Sequence, residues 1–368
     1  MESKVRVIAM YLPQFHPIPE NDEWWGKGFT EWTNVAMAKP LFKGHYQPRV
    51  PADLGFYDLR LSEVREAQAE MAKDAGIEGF MYWHYWFGNG RQLLERPFNE
   101  VLSSGKPDFP FCLGWANHSW SRKTWTAKSF SKNTSTMLIE QTYLGDKDYV
   151  QHFNSVLPAF KDPRYITVDG KPLFLIYDVL SIPNLAHFLD LWRKLALSKG
   201  LMGIHFVGNI MGHIAEEKKD EIINCGVDAT ALSNLFYAEV KCSSITRMYW
   251  KKFKTRILGF GPECYQYKDI IKHIHNNYEK QGNVYPVVYP QLDRTPRAGK
   301  NAVILTGSTP ELFAKFLKDT LAIVKDKDDE HRIIVINAWN EWGEGNYIEP
   351  DLKFGHGYLN ALKGVIKR

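Results

Sequence analysis

A chain of 368 residues, 44% hydrophobic and 24% charged, has the make-up of a soluble globular protein and is longer than one small domain. A net charge of +4 is too mild to mark a nucleic-acid binder, and no Lys/Arg-rich tail or DNA-reading motif adds to it, so no nucleic-acid partner is expected. Four cysteines without a C-x-x-C pair suggest neither a zinc site nor a disulfide framework, and no stretch reaches the ~18 apolar residues of a membrane span.

The opening Met-Glu-Ser-Lys runs into an apolar strand without the marks of a leader peptide, so a cytoplasmic location is expected. Apolar runs at 5–11, 79–85, 110–116, 172–178, 203–209, 227–232, 284–289 and 332–338 predict eight strands. Helical patterns fall between them, at 58–75, 90–103, 146–161, 184–199, 215–224, 265–280, 309–326 and 356–367. Thr309-Pro310-Glu311 is a helix start signal, and Val64, Ala67, Met71 and Ala75 share the expected apolar face of the first long helix. Eight such units predict an α/β fold, a (β/α)8 TIM barrel with long βα loops on the catalytic face. An open doubly wound sheet would offer a Gly-rich nucleotide loop after strand one, where this chain has Leu12-Pro13-Gln14-Phe15-His16. One barrel domain over 1–368 is expected, with insertions at 12–56 and 236–262. The second insertion carries a basic and aromatic run at 247–256, which fits an exposed insertion, a lid over the pocket or, most weakly, a membrane-surface patch.

Barrel enzymes place their chemistry at the C-terminal ends of the strands. Those ends here carry Tyr11 and His16, then Tyr82 and His84, then Trp115, Asn117 and His118, and later Asp293 and Arg297. The long loop after strand one adds Glu31, Trp32 and Asn34, and strand eight runs into Trp339, Asn340, Glu341, Trp342, Gly343, Glu344 and Gly345. Flat rings pack on the C–H faces of sugars, so two carboxylates and two indoles after a buried strand suggest the floor of a sugar site. Glycoside cleavage needs one protonated and one ionised carboxyl, and nearby Trp339 and Trp342 would desolvate one of the pair and raise its pKa. Glu341 and Glu344 are the expected catalytic pair; the other residues are expected to bind an oligo- or polysaccharide.

Several of these residues have a second reading. Glu31 serves either substrate or a structural hydrogen bond. Asp293 accepts from a sugar hydroxyl and Arg297 binds a carboxylate or a neighbouring Glu, or the two pair with each other. Asn117 and Asn340 fix hydroxyls or orient Glu341. Glu349 reads as a loop anchor. Trp192 and Trp250 read as packing or surface residues. No H-x-x-x-H spacing turns the histidines into a metal site, so neither metal nor cofactor is expected.

Long motifs then carry a resemblance. Tyr-Leu-Pro-Gln-Phe-His at 11–16, Trp-Gly-Lys-Gly-Phe-Thr-Glu-Trp-Thr-Asn-Val at 25–35 and Pro-Ala-Asp-Leu-Gly-Phe-Tyr-Asp-Leu-Arg at 51–60 resemble the WbsX-type proteins of polysaccharide gene clusters. So do Trp-Ala-Asn at 115–117 and Asn-Glu-Trp-Gly-Glu-Gly at 340–345. That family was first labelled glycosyltransferase, and it is similar, more distantly, to glycoside hydrolase family 99, the (β/α)8 endo-α-mannosidases and endo-α-mannanases. The resemblance implies that Glu341 deprotonates the substrate's own 2-hydroxyl, which attacks C1 to form a 1,2-anhydro sugar. It implies that Glu344 protonates the leaving oxygen and later activates water, with configuration retained. Many WbsX-type proteins carry an acidic residue after Trp-Ala-Asn, where this chain has His118, so a different sugar preference is implied. The expected function is a glycoside hydrolase acting on an α-linked mannose-like glycan or bacterial polysaccharide. The alternatives are a glycosyltransferase of O-antigen or capsular polysaccharide biosynthesis and a non-catalytic carbohydrate-binding protein.

Overall fold

The structure is a computed structural model that describes residues 5–121, 137–210, 220–222, 224–243, 246, 249, 250, 253 and 261–367. Eight parallel strands form its centre: β1 (Arg6–Tyr11), β2 (Gly79–Trp86), β3 (Phe111–Trp115), β4 (Lys171–Ile176), β5 (His205–Ile210), β6 (Ala229–Leu232), β7 (Val284–Val288) and β8 (Ile333–Ile336). They pair in chain order, and β1 lies between β2 and β8 with Ile8 opposite both Gly79 and Val335, so the sheet closes on itself. This is the expected (β/α)8 barrel. β3 and β8 are buried along their whole length, as strands covered on both faces must be.

The helices are α1 (Pro19–Trp25), α2 (Glu31–Met37), α3 (Ser62–Ala75), α4 (Arg96–Ser104), α5 (Asp146–Phe160), α6 (Leu185–Ser198), α7 (Leu235–Cys242), α8 (Tyr267–His273), α9 (Thr295–Ala298), α10 (Pro310–Val324) and α11 (Gly357–Ile366). Thr309 caps α10 as expected, its hydroxyl accepting from the Leu312 N–H. The buried face of α3 differs from the expected one. It comprises Arg65, Gln68, Ala69, Ala72 and Ala75, with Val64 and Met71 only half-buried. Two polar side chains go inside because partners await them: Tyr11 donates to Gln68, and Arg65 donates to the Leu59 carbonyl and pairs with Glu100.

The 12–56 insertion is not a plain loop, since it holds α1 and α2 and packs Phe15, Trp32 and Tyr57 together. The helix expected over 215–224 lies largely outside the described residues. Of the 247–256 run only Tyr249, Trp250 and Phe253 are described, all three exposed. Among the described residues no helix is long and apolar enough to cross a membrane.

Candidate active site

Alternate residues of a barrel strand face the interior and the helix layer. At the C-terminal mouth the inward set lines a pocket of about 150 Å3. Trp83, Tyr85, Ala116, His118 and Tyr177 form one wall. Leu12, Asn337, Arg294, Arg297, Glu341 and Glu344 complete it. A larger hollow of about 550 Å3 opens at the other end of the strands, where Arg6 already bridges Glu78 and Glu330.

Arg297 is the hub of the pocket. Its Nε and Nη2 donate to the two oxygens of Glu31, at 2.9 and 3.0 Å, and Nη1 donates to Glu344 Oε1 at 2.9 Å. Nη2 also lies 3.0 Å from Glu341 Oε2, an ion contact without the geometry of a hydrogen bond. A guanidinium thus fills the space between three carboxylates. Glu31 reaches it from the start of α2 and is fully buried, with Asn34 one turn on donating to the same carboxylate at 3.4 Å. Gly343 is required here by contact rather than by turn conformation: a Cβ at that position would lie 1.9 Å from Glu31 Oε1. Gly345 is required on both counts, with φ +53° and a Cβ that would lie 2.8 Å from that of Asp293.

The two expected catalytic carboxyls are driven apart. Burial pushes Glu341 up to about 7, an effect that Arg297 only partly offsets and that the Glu344 and Glu31 charges reinforce. Burial also acts on Glu344, but there the charges of Arg294 and Arg297 outweigh it and hold the carboxyl below its ordinary value. One acid near neutrality beside one carboxylate is the pairing that glycoside cleavage needs. As the site stands, however, the proton favours Glu341, the reverse of the distribution implied by the resemblance. Burial lowers His118 to about 4, so at neutral pH its uncharged ring faces the pocket, tilted on Tyr177 at 5.0 Å.

Of the other expected substrate contacts, many lie outside this pocket. Tyr11, Tyr82 and His84 point into the helix layer, where Tyr11 meets Gln68, Tyr82 packs on Phe98 and His84 shares a 2.9 Å contact with His152. Trp115 faces the same way, its indole donating to the Trp86 carbonyl. His16 is buried away from the pocket lining, and burial lowers its pKa to about 4. Asn117 ties β3 to β4, donating to the Asp178 carbonyl and accepting from the Asp178 N–H. Asn340 clamps Leu12, accepting from its N–H at 2.7 Å and donating to its carbonyl at 3.1 Å. Asp293 does not pair with Arg297; it accepts from Gln47 and Thr295, contacts His45 at 2.8 Å and lies beside Arg49. Burial alone would raise its pKa, but those partners hold it at about 2.

The indoles turn out to be scaffold. Trp32 donates to the Tyr57 carbonyl, Trp339 is fully buried against Phe80, and Trp342 stacks on Tyr347 at 3.6 Å. Trp342 also donates to Glu349, which accepts from Tyr57 and Gln68 as well and so anchors the loop after β8. Trp192 is core and Trp250 surface, as expected. The pocket also takes Leu12, Trp83, Tyr85, Ala116, Tyr177, Asn337 and Arg294, none of them among the expected substrate contacts. On β2, Trp83 and Tyr85 alternate with Tyr82 and His84, so the two pairs lie on opposite faces of the strand.

Comparison with known proteins agrees with the fold. The family model described as "Glycosyltransferase WbsX" matches residues 7–362. Two curated relatives from strains of Xanthomonas campestris pv. campestris, each titled "Uncharacterized protein WxcX", are 34% identical over 368 residues, 98% of this chain and 50% of theirs. The chain therefore spans about half the length of the curated relatives it matches. Among solved structures, a "Glycoside hydrolase-like protein" aligns with a TM-score of 0.64 at 15% identity, over 99% of this chain and 94% of the other. The GH99 endo-alpha-mannosidase from Bacteroides thetaiotaomicron aligns with a TM-score of 0.53 at 16% identity, over 98% and 96%. At those identities the likeness is one of fold.

Proposed function

We propose that this chain, which belongs to the glycosyltransferase WbsX family of carbohydrate-active proteins, is a glycoside hydrolase with Glu341 and Glu344 as its catalytic pair. The substrate is an α-linked mannose-like glycan or a bacterial polysaccharide. The observation that carries this reading is the pair itself: two carboxyls on one pocket wall, tied to one guanidinium, with proton affinities pushed in opposite directions. The GH99 endo-alpha-mannosidase fold likeness supports the same reading.

Glu341, poised near neutrality, is the stronger base of the two once ionised, which suits it to take the proton of a sugar 2-hydroxyl. That oxygen attacks C1 as the glycosidic bond breaks, giving a 1,2-anhydro sugar. Glu341 later returns that proton to the 2-oxygen as the anhydro ring opens, and Glu344, which gives its proton to the leaving oxygen, takes one from the attacking water, so configuration is retained. For this Glu344 must first gain a proton, which requires its contact with Arg294 to loosen when substrate arrives. Trp83, half-buried and edge-on to Tyr177 at 5.8 Å, offers a ring for the sugar to pack on.

The test is reducing-end release from α-linked oligosaccharides and bacterial polysaccharides by wild type, Glu341→Gln and Glu344→Gln, without nucleotide or metal. Wild-type cleavage reduced by roughly 10³-fold in each variant is expected. The family's own description favours a second reading, sugar transfer from an activated donor. Turnover that appears only with such a donor would establish it. Glycan affinity with no turnover in any form would leave a binding protein.

A further inference from the structure

Arg294 and Arg297 enter the same pocket with very different amounts left to offer. All three nitrogens of Arg297 are engaged by Glu31, Glu341 and Glu344, and its side chain is 8% exposed. Arg294 touches one oxygen, Glu344 Oε1 at 3.1 Å, and that same oxygen already accepts from Arg297 Nη1 at 2.9 Å. Its side chain is 46% exposed, and among the described residues Glu344 is its one side-chain partner. A guanidinium carries five N–H donors in one plane, so most of those on Arg294, which lines the pocket, are not used by Glu344. Glu344 would keep a charged partner if Arg294 turned away.

Among the described residues that line the pocket beside it, Trp83, Tyr177 and Asn337 are neutral and burial keeps His118 uncharged. A neutral sugar hydroxyl would take one N–H and leave the rest of the fork idle. A carboxylate matches the planar fork with two oxygens at once.

We propose, resting on the glycan-cleaving reading above, that Arg294 is the specificity-determining residue of this pocket and selects a carboxylate-bearing sugar, a hexuronic acid unit of an acidic polysaccharide. The carboxylate takes the fork of Arg294 and leaves Glu344 to Arg297. That exchange also removes one of the two cations that keep Glu344 from accepting a proton, so substrate recognition itself prepares the acid.

The experiment is affinity electrophoresis of Glu341→Gln protein, which does not consume its ligand, through gels holding uronate-containing polysaccharides or their carboxyl-reduced counterparts. Phosphate-bearing polysaccharides, native and dephosphorylated, form the second arm. Any uronate polymer that retards the protein should do so roughly ten- to a hundredfold more weakly after carboxyl reduction. Arg294→Gln, added to the same background, should lose as much on the native polymer and little more on the reduced one. Arg294→Lys should keep part of the preference. That non-additive pattern ties the charge on the sugar to the charge on Arg294, which a loss of folding would not do. Equal retardation by native and reduced polymers, or a preference that survives Arg294→Gln, overturns the inference while leaving the hydrolase reading in place. Retardation by phosphate-bearing polymers alone overturns it as well. Retardation by no polysaccharide of any kind overturns the glycan reading beneath it.

Discussion

Replacing Gly343 by alanine adds one carbon at the tightest point of the site. Its φ is not positive, so the backbone accepts alanine and the cost arises from contact alone. The new Cβ would lie 1.9 Å from Glu31 Oε1, 2.6 Å from its Cδ and 2.9 Å from Arg297 Nε. A carboxylate at the end of a flexible side chain would ordinarily step aside. Glu31 is fully buried and holds Arg297 through both oxygens, so moving it breaks a buried ion pair, which costs about 3–5 kcal/mol. For 368 residues the unfolding entropy is roughly 0.8 kcal/mol per kelvin, so the melting temperature should fall by about 4–6 °C. Because Arg297 also contacts Glu341 and Glu344, turnover should fall by about 10²-fold, the scale expected for a misplacement near 1 Å. Calorimetry and a reducing-sugar assay read the two effects. Glu31→Asp draws the carboxylate back by one methylene, so in the Gly343→Ala background it should recover part of the stability, with a coupling of about 1 kcal/mol or more in the double-mutant cycle. A melting temperature within about 1 °C of wild type with undiminished turnover would refute the contact argument.

Three further outcomes follow from the same contacts. Arg297→Met leaves three carboxylates facing one another and should cost about 3–5 kcal/mol in urea unfolding; a loss below 1 kcal/mol would mean that water already screens the cluster. Asn340→Ala orphans the buried N–H and carbonyl of Leu12 and should cost about 2–4 kcal/mol, measured the same way. Glu349 is raised by burial to about 7, above its ordinary 4.5, so its contribution to stability is complete below that ordinary value and is lost as pH rises through 7. The melting-temperature advantage of wild type over the non-titrating Glu349→Gln should therefore shrink between pH 5 and pH 8; an advantage that widens would contradict the sign.

The barrel was legible because all eight strands are short apolar runs separated by amphipathic helices, and burial on both faces leaves no other use for Ile333–Ile336. The carboxylate pair at the pocket was legible because carboxylates next to indoles at a strand end are costly without a task. What the sequence hid was parity. On β2 both faces are aromatic, with Phe80, Tyr82, His84 and Trp86 on one side and Met81, Trp83 and Tyr85 on the other. The contrast between polar and apolar faces that usually reveals the inward set is therefore missing, so the sequence favours Tyr82 and His84 as readily as Trp83 and Tyr85. The tryptophans misled for a related reason: an indole that stacks on sugar and one that packs a helix layer look alike in one dimension, and Trp86, Trp115, Trp120, Trp192, Trp339 and Trp342 are all fully buried. The Glu31–Arg297 pair spans 266 residues, so nothing local announced it.

The three-carboxylate hold on Arg297 also governs how such a site can drift over generations. Removing Arg297 leaves three carboxylates without their shared cation, and enlarging Gly343 displaces one of them, so either single step carries a cost. Change must come as compensated pairs, and positions 31, 297, 341, 343 and 344 should behave as one epistatic unit. Arg294 stands outside that unit, half-exposed and joined to an oxygen that already has a partner. It is the member free to vary alone, and if it selects the sugar as proposed, a lineage could change its substrate through it without rebuilding the floor of the pocket.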